Sequence, residues 1–124
     1  MAKVGDVMSR TLVKVDPSTT VAEAATVMAQ RRVGSVLIME GDGLAGIFTE
    51  RDMVRAISQS ADAPSDEIAH YMTRSPATIA PDADTGDALN QMMAGGFRHL
   101  PVVAGGALVG MVSMRDLAKA EAED

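Results

Sequence analysis

Two short runs hold the side chains best able to do chemistry, Gly46-Ile47-Phe48-Thr49-Glu50-Arg51-Asp52 and Gly110-Met111-Val112-Ser113-Met114-Arg115-Asp116. Each sets a hydroxyl, a guanidinium and a carboxylate within four residues, a combination that donates and accepts hydrogen bonds and carries local charge of both signs. Hydroxyl and acid three residues apart is also the form of a capping box, with Asp in place of Glu, so spacing alone reads the motifs as helix starts. The two readings differ in consequence: a cap residue changes stability by about 0.5–2 kcal/mol, whereas a ligand contact changes affinity. Arg98-His99 is a second basic pair, and His70 stands apart and reads as structural. Two histidines and no cysteine leave zinc without a ligand set. No Ser-His-Asp arrangement, P-loop or Gly-x-Gly-x-x-Gly is present, and Gly95-Gly96 reads as a helix C-terminal cap. With no activated nucleophile, the chain is expected not to be an enzyme.

The two runs belong to a duplication. Residues 7–56 align without a gap on 71–120, and eleven pairs are identical: Met8/Met72, Arg10/Arg74, Pro17/Pro81, Ala24/Ala88, Met28/Met92, Gly41/Gly105, Leu44/Leu108, Gly46/Gly110, Arg51/Arg115, Asp52/Asp116 and Ala56/Ala120. Several are glycine or proline, which set backbone geometry. A self-similar unit of this length is the first thing to establish, since it dictates the architecture. Neither half buries enough surface to be comfortable alone, so the halves are expected to pack on each other.

Each half reads as β-α-β-β-α, an α+β fold. A short strand, Leu12–Val15 or Ala77–Ile79, stops at Asp16-Pro17 or Ala80-Pro81. A helix follows from a capping box, Thr20 with Glu23 and its counterpart Asp84 with Asp87, and carries an apolar stripe through Val21, Ala24, Ala25, Met28 or Thr85, Ala88, Leu89, Met92. The unbroken apolar runs Val36–Met39 and Leu100–Val103 predict strands buried on both faces. Pro101 lacks a donor and predicts an edge or an irregular start. Gly41-Asp42-Gly43 and Gly105-Gly106 turn the chain into third strands at Leu44–Phe48 and Leu108–Val112, and last helices begin near Thr49 and Ser113. The polar segment Ser58–Asp66 reads as a linker. The domain division is residues 1–60, a linker at 61–66, and 67–124.

Composition narrows the partners. A chain that is 47% hydrophobic and 23% charged is globular rather than disordered. A net charge of −6 disfavours a nucleic-acid surface, and 2% aromatics disfavours a base-stacking platform. A single small anion needs only a local positive spot. Ten methionines read as adaptable core filler. No apolar run is long enough to span a membrane and the first ten residues lack a signal-peptide core, so a cytoplasmic protein with no membrane partner is expected.

The ungapped pair, the β-α-β-β-α unit and the doubled Gly-x-x-Thr/Ser-x-x-Asp signature resemble the cystathionine-β-synthase (CBS) domain, found in tandem as the Bateman module; the resemblance runs from Val4 to Ala120. It implies two repeats packed about a pseudo-two-fold axis, with clefts that take adenosine-containing ligands: AMP, ADP, ATP or S-adenosylmethionine. It implies a regulatory ligand sensor signalling to a partner protein, with no obligatory cofactor and Mg²⁺ as an optional companion of the nucleotide. Asp52 and Asp116 would hold ribose hydroxyls, and Thr49 and Ser113 would reach ribose or phosphate. Arg51, Arg115, Arg98 and His99 would offer positive charge, and the base would lie among strand residues such as Val13 and Ala77. The physics agrees: an ionised carboxylate can accept both hydrogens of a vicinal diol, and a helix N-terminus favours phosphate. The first repeat has Gly34-Ser35 where the second has Arg98-His99, so unequal sites are expected. The alternative is a structural dimerisation module with empty clefts. A homodimer is expected through the last helix of each repeat, where Met53, Val54, Ile57 and Leu117 form an apolar patch.

Overall fold

The computed structural model describes residues 2–123, which form α1 (Val4–Val7), β1 (Lys14–Val15), α2 (Val21–Arg31), β2 (Ser35–Glu40), β3 (Gly43–Thr49), α3 (Glu50–Gln59), β4 (Thr73–Arg74), α4 (Thr85–Gly95), β5 (His99–Ala104), β6 (Ala107–Ser113) and α5 (Met114–Glu123), with 3-10 turns at Ala63–Ser65 and Ile68–His70. Two β-α-β-β-α-like repeats are present. The compact units cut across them: one is Val13–Pro76, the other joins residues 2–12 to residues 77–123. Each repeat's fold is thus completed by the segment that leads into the other repeat.

In the Val13–Pro76 unit the sheet order is β1-β2-β3-β4, with β1 parallel to β2 and the other pairs antiparallel. Val36, Leu37 and Ile38 on β2 are buried on both faces, as the unbroken apolar run predicts. Val21, Ala24 and Met28 bring the α2 stripe onto Val36, Ile38 and Phe48. The predicted capping box is formed: Glu23 N–H donates to Thr20 Oγ1 at 3.0 Å and Thr20 N–H to Glu23 Oε1 at 2.9 Å. Ile68 and Met72, from the leading segment of the second repeat, complete this core.

The other unit repeats the plan with fewer strand bonds. β5 pairs with β6, Ile79 bridges to Val102, and Ser9 bridges to Met111. Val4, Ala88, Met92, Leu100, Val102, Val112 and Leu117 make its core. Here the expected strand Ala77–Ile79 reduces to a lone bridge, and Pro101 is the reason. In the first repeat Leu37 N–H donates to Val13 O at 2.9 Å, helping to hold β1; Pro101 occupies the position of Leu37 and has no N–H. Only the pair beyond it survives, Ile79 N–H to Pro101 O at 3.1 Å and Val103 N–H to Ile79 O at 2.9 Å.

The leading segments dock by the same backbone bonds, shifted by the repeat length. Val4 N–H donates to Ala83 O at 2.9 Å and Gly5 N–H to Pro81 O at 2.8 Å; Ile68 N–H donates to Thr19 O at 2.7 Å and Ala69 N–H to Pro17 O at 3.3 Å. Return bonds run from Thr85 N–H to Ala2 O and from Val21 N–H to Asp66 O. Val4 and Ile68 are fully buried.

Four expectations are corrected. Asp84 does precede α4, but its side chain makes no cap bond, because Lys3 Nζ takes it at 2.8 Å. Ser58–Asp66 is not simply a polar linker: α3 continues to Gln59 and Ala63 is fully buried in a 3-10 turn. Leu117 belongs to the core at 1% exposure, so it cannot contribute to an outer patch. The first strand is shorter than Leu12–Val15 and begins at Lys14. Gly96 caps α4 in the left-handed region at φ 72°, and the matching residue after α2 is Arg32 at φ 55°.

Several carboxyls are held below the usual carboxylate range. Ser18's hydroxyl and N–H do so for Asp16, Thr20's N–H for Glu23, Glu67's N–H and then His70 for Asp66, and Lys3's hydrogen bond and charge for Asp84. A carboxyl depressed in the folded chain contributes stability that is complete above its unfolded value and is lost as pH falls through the folded one. Urea midpoints should therefore owe no slope to these groups between about pH 5 and 7 and should fall below about pH 4. A midpoint that rises on acidification to about pH 3 would contradict this.

Candidate functional site

Each signature motif starts on a strand and ends on a helix. Gly46 lies in β3 opposite Arg74 of β4, and Ile47 opposite Thr73. A Cβ on Gly46 would stand 2.7 Å from the Thr73 carbonyl oxygen and 2.8 Å from Met72 Sδ. On Gly110 it would stand 3.0 Å from the Ser9 carbonyl oxygen. The signature glycine is thus the space through which the leading segment crosses the third strand.

Thr49 ends β3 and caps α3; its Oγ1 accepts Asp52 N–H at 3.2 Å and its own N–H donates to Asp52 Oδ2 at 2.9 Å. Ser113 ends β6, and Ser113 and Asp116 make the same two bonds at 3.1 and 2.9 Å. Beyond the cap the motifs differ. Asp52 is buried, and its carboxylate also accepts the Thr49 hydroxyl at 3.2 Å, the Thr73 hydroxyl at 3.1 Å, and the Arg55 guanidinium in an ion pair. Asp116 is half-buried, and no described side chain other than its cap partner is bonded to it.

The basic residues sort by repeat. Arg98 O accepts Met114 N–H at 2.8 Å, and His99 pairs with Ser113 across β5 and β6, so Arg98 and His99 are brought to the end of β6 where Ser113, Arg115 and Asp116 lie. Arg98 and Arg115 are exposed and His99 is half-buried. At the equivalent place in the first repeat Gly34 O accepts Glu50 N–H, and Ser35 pairs with Thr49. Arg51 is exposed. Val13 and Ala77 are not joined to the motifs by any hydrogen bond among the described residues; β2 separates β1, which Val13 leads into, from β3. His70 is not partnerless, as its sequence context had implied: its Nδ1 lies 2.7 Å from Asp66 Oδ1.

Sequence reasoning missed Thr73 and Arg55, the two residues that complete the Asp52 cluster. The signal for the first was present, because the Met8/Met72 and Arg10/Arg74 identities fall ahead of the first predicted strand and mark the leading segment as part of the repeat. Among the described residues no group of three or more His, Cys, Asp or Glu could hold a metal, and no helix is long and apolar enough to cross a membrane.

A family profile for the CBS domain matches residues 4–59 and 67–123. The chain belongs to the CBS domain family and is a tandem CBS pair, a regulatory and non-catalytic module. It is 39% identical over 121 residues to an uncharacterized 17.7 kDa protein of Acidianus ambivalens, covering 95% of this chain and 72% of that one. It is 35% identical to an uncharacterized protein of Methanopyrus kandleri, spanning 62% of that protein's length. Among solved structures, a CBS-domain containing protein from Agrobacterium tumefaciens shares 33% identity with a TM-score of 0.92, covering 97% of this chain and 99% of that one. The fold also matches the CBS domain pair of protein MJ0100, solved with 5-methylthioadenosine and S-adenosyl-L-methionine, at 23% identity and a TM-score of 0.89, covering 99% and 98%. CBSX2, solved with AMP, matches at 24% identity and a TM-score of 0.84 with the same coverage.

Two stability predictions follow from the packing. Gly46→Ala should destabilise by about 1–3 kcal/mol, since the Thr73 backbone must shift to admit the methyl group; a neutral urea melt would contradict this. Asp52→Ala should cost about 2–3 kcal/mol, because Thr49, Thr73 and Arg55 all lose a partner. Asp116→Ala removes a cap and should cost only about 1 kcal/mol. Equal costs in urea melts would contradict the difference between the motifs.

Proposed function

We propose that this chain is a ligand-sensing regulatory module that binds an adenosine-containing ligand and signals to a partner protein. The observation that carries the reading is Asp116: a half-buried carboxylate at the start of a ten-residue helix, held by a cap bond to one oxygen and engaged by no further described side chain. A ribose diol donates two hydrogen bonds, and an ionised carboxylate accepts them as strong charge-assisted ones. Arg98 and Arg115, with His99 in the same unit, supply two guanidiniums that offset the repulsion a net charge of −6 exerts on a phosphate. The α5 N-terminus adds its free N–H groups. The adenosyl ligands of MJ0100 and CBSX2 support this chemical class. Ser113 would contact ribose or phosphate, and Val13 and Ala77 would lie near the base. Thr49, Arg51 and Asp52 would form the corresponding set of the first repeat.

A second reading, a structural pairing module that binds nothing, is favoured by one observation: the Asp52 carboxylate is fully engaged by Thr49, Thr73 and Arg55. Pairing itself belongs to both readings. Val54 and Ile57 are 70% and 54% exposed on α3, and a homodimer through this helix would cover them. A light-scattering mass of one 12.9 kDa chain at micromolar concentration would overturn the dimer.

Ligand binding raises the melting temperature with ligand concentration. Thermal shift and calorimetric titration against AMP, ATP, adenosine and S-adenosylmethionine should therefore find a binder. Asp116→Ala should weaken it by about ten- to a hundredfold. Arg98→Ala should weaken AMP and ATP and spare adenosine. If Asp116→Ala binds like the parent chain while melting earlier, the motif is only a cap and the sensing reading fails.

A further inference from the structure

We infer that Arg55 and Thr73 close the first signature motif from within, so that the chain takes one adenosyl ligand, at Asp116, and not two. The inference rests on the adenosyl-binding reading above. The motifs agree in hydroxyl, guanidinium and acid, so the sequence places their expected inequality only in the flanking Arg98-His99 pair. Their surroundings do not agree. Both oxygens of Asp52 are filled: Oδ2 by the N–H and hydroxyl of Thr49, Oδ1 by the Thr73 hydroxyl and the Arg55 guanidinium. Asp52 as a residue is 3% exposed. A ribose diol could reach it only by displacing a charge-assisted bond and a hydroxyl bond, which leaves little net gain.

The equivalent positions around Asp116 are Lys119 and Ser9. Lys119 is exposed and no ion pair joins it to Asp116. Ser9 bridges to Met111 as Thr73 pairs with Ile47, yet its hydroxyl donates to the Thr11 carbonyl at 3.4 Å. Arginine closes the site where lysine does not for a chemical reason: its fork is planar and weakly hydrated and holds a carboxylate one turn back on its own helix, whereas an ammonium keeps its water. Arg55 and Thr73 are therefore specificity-determining residues. They leave the backbone of the motif intact and remove its free acceptor.

The test is calorimetric stoichiometry with AMP and with S-adenosylmethionine, on chains whose fold is checked by circular dichroism. The parent should bind one equivalent per chain, and Asp116→Ala should weaken that one site by about ten- to a hundredfold without revealing a second. Arg55→Met with Thr73→Val should bind two equivalents, or one when combined with Asp116→Ala. Arg55→Lys with Thr73→Ser, which copies the surroundings of the second motif, serves if that double variant unfolds, and the same gain is expected of it. The reciprocal variant, Lys119→Arg with Ser9→Thr, should weaken the Asp116 site by about tenfold or more. Two equivalents on the parent, or one on every opened variant, would overturn the closure while leaving adenosyl binding in place. No binding to any of these proteins would overturn the adenosyl reading and the closure with it.

Discussion

A short segment ahead of each repeat is laid against the other repeat by backbone hydrogen bonds, and the rest of the structure depends on that crossing. Ile68 N–H to Thr19 O and Val4 N–H to Ala83 O are the same bond at two places in the chain. Each brings a fully buried aliphatic side chain into the core of the unit it joins. The crossing also explains the glycine of the signature. Any side chain at Gly46 or Gly110 would meet the carbonyl oxygen of Thr73 or Ser9. A residue that looks like part of a ligand motif is held there by a steric demand some thirty residues away in one repeat and about a hundred in the other.

The same crossing makes the two acids unequal. The segment that passes Gly46 delivers a threonine hydroxyl to Asp52; the one that passes Gly110 delivers a serine whose hydroxyl turns to Thr11. Helix α3 then adds a guanidinium, while α5 offers an ammonium in its place. A buried carboxylate with four donors is a stable structural knot, because removing any partner leaves a charge short of solvation. A half-buried carboxylate with one cap bond retains acceptor capacity at modest cost. Stability and binding capacity thus pull in opposite directions on the same residue type, and the chain carries one example of each.

Much of this was legible from residue types. The ungapped alignment of 7–56 on 71–120 exposed the repeat, and the unbroken run Val36–Met39 marked a strand buried on both faces. Thr20 with Glu23 marked a helix start, as did Thr49 with Asp52. What escaped was whatever depends on contacts distant in sequence. Asp84 has the form of a cap but is claimed by Lys3, 81 residues away. Leu117 sits on a short charged helix and looks exposable, yet it is buried in one core with Val4, Ala88, Met92 and Val112. Thr73 lies 21 residues from Asp52, with no local pattern tying one to the other.

Local chemistry explains the remaining differences between the repeats just as directly. Replacing Leu37 by Pro101 removes one N–H, and with it the bond that Val13 O receives in the first repeat. The strand before it shrinks from a pair of residues to a single bridge at Ile79. Both hairpins nevertheless keep a register irregularity at the same step, Ile38/Met39 and Val102/Val103. Replacing Gly96 by Arg32 puts a side chain into a left-handed cap and leaves the turn itself unchanged. In each case the backbone path is preserved and the inventory of donors and acceptors is altered. Two copies of one fold can diverge in this way without cost to their packing, because the core depends on aliphatic side chains that the changes leave alone. Binding capacity depends instead on single polar atoms, which one substitution can supply or withdraw. It is therefore the property most easily lost from one repeat while the other retains it.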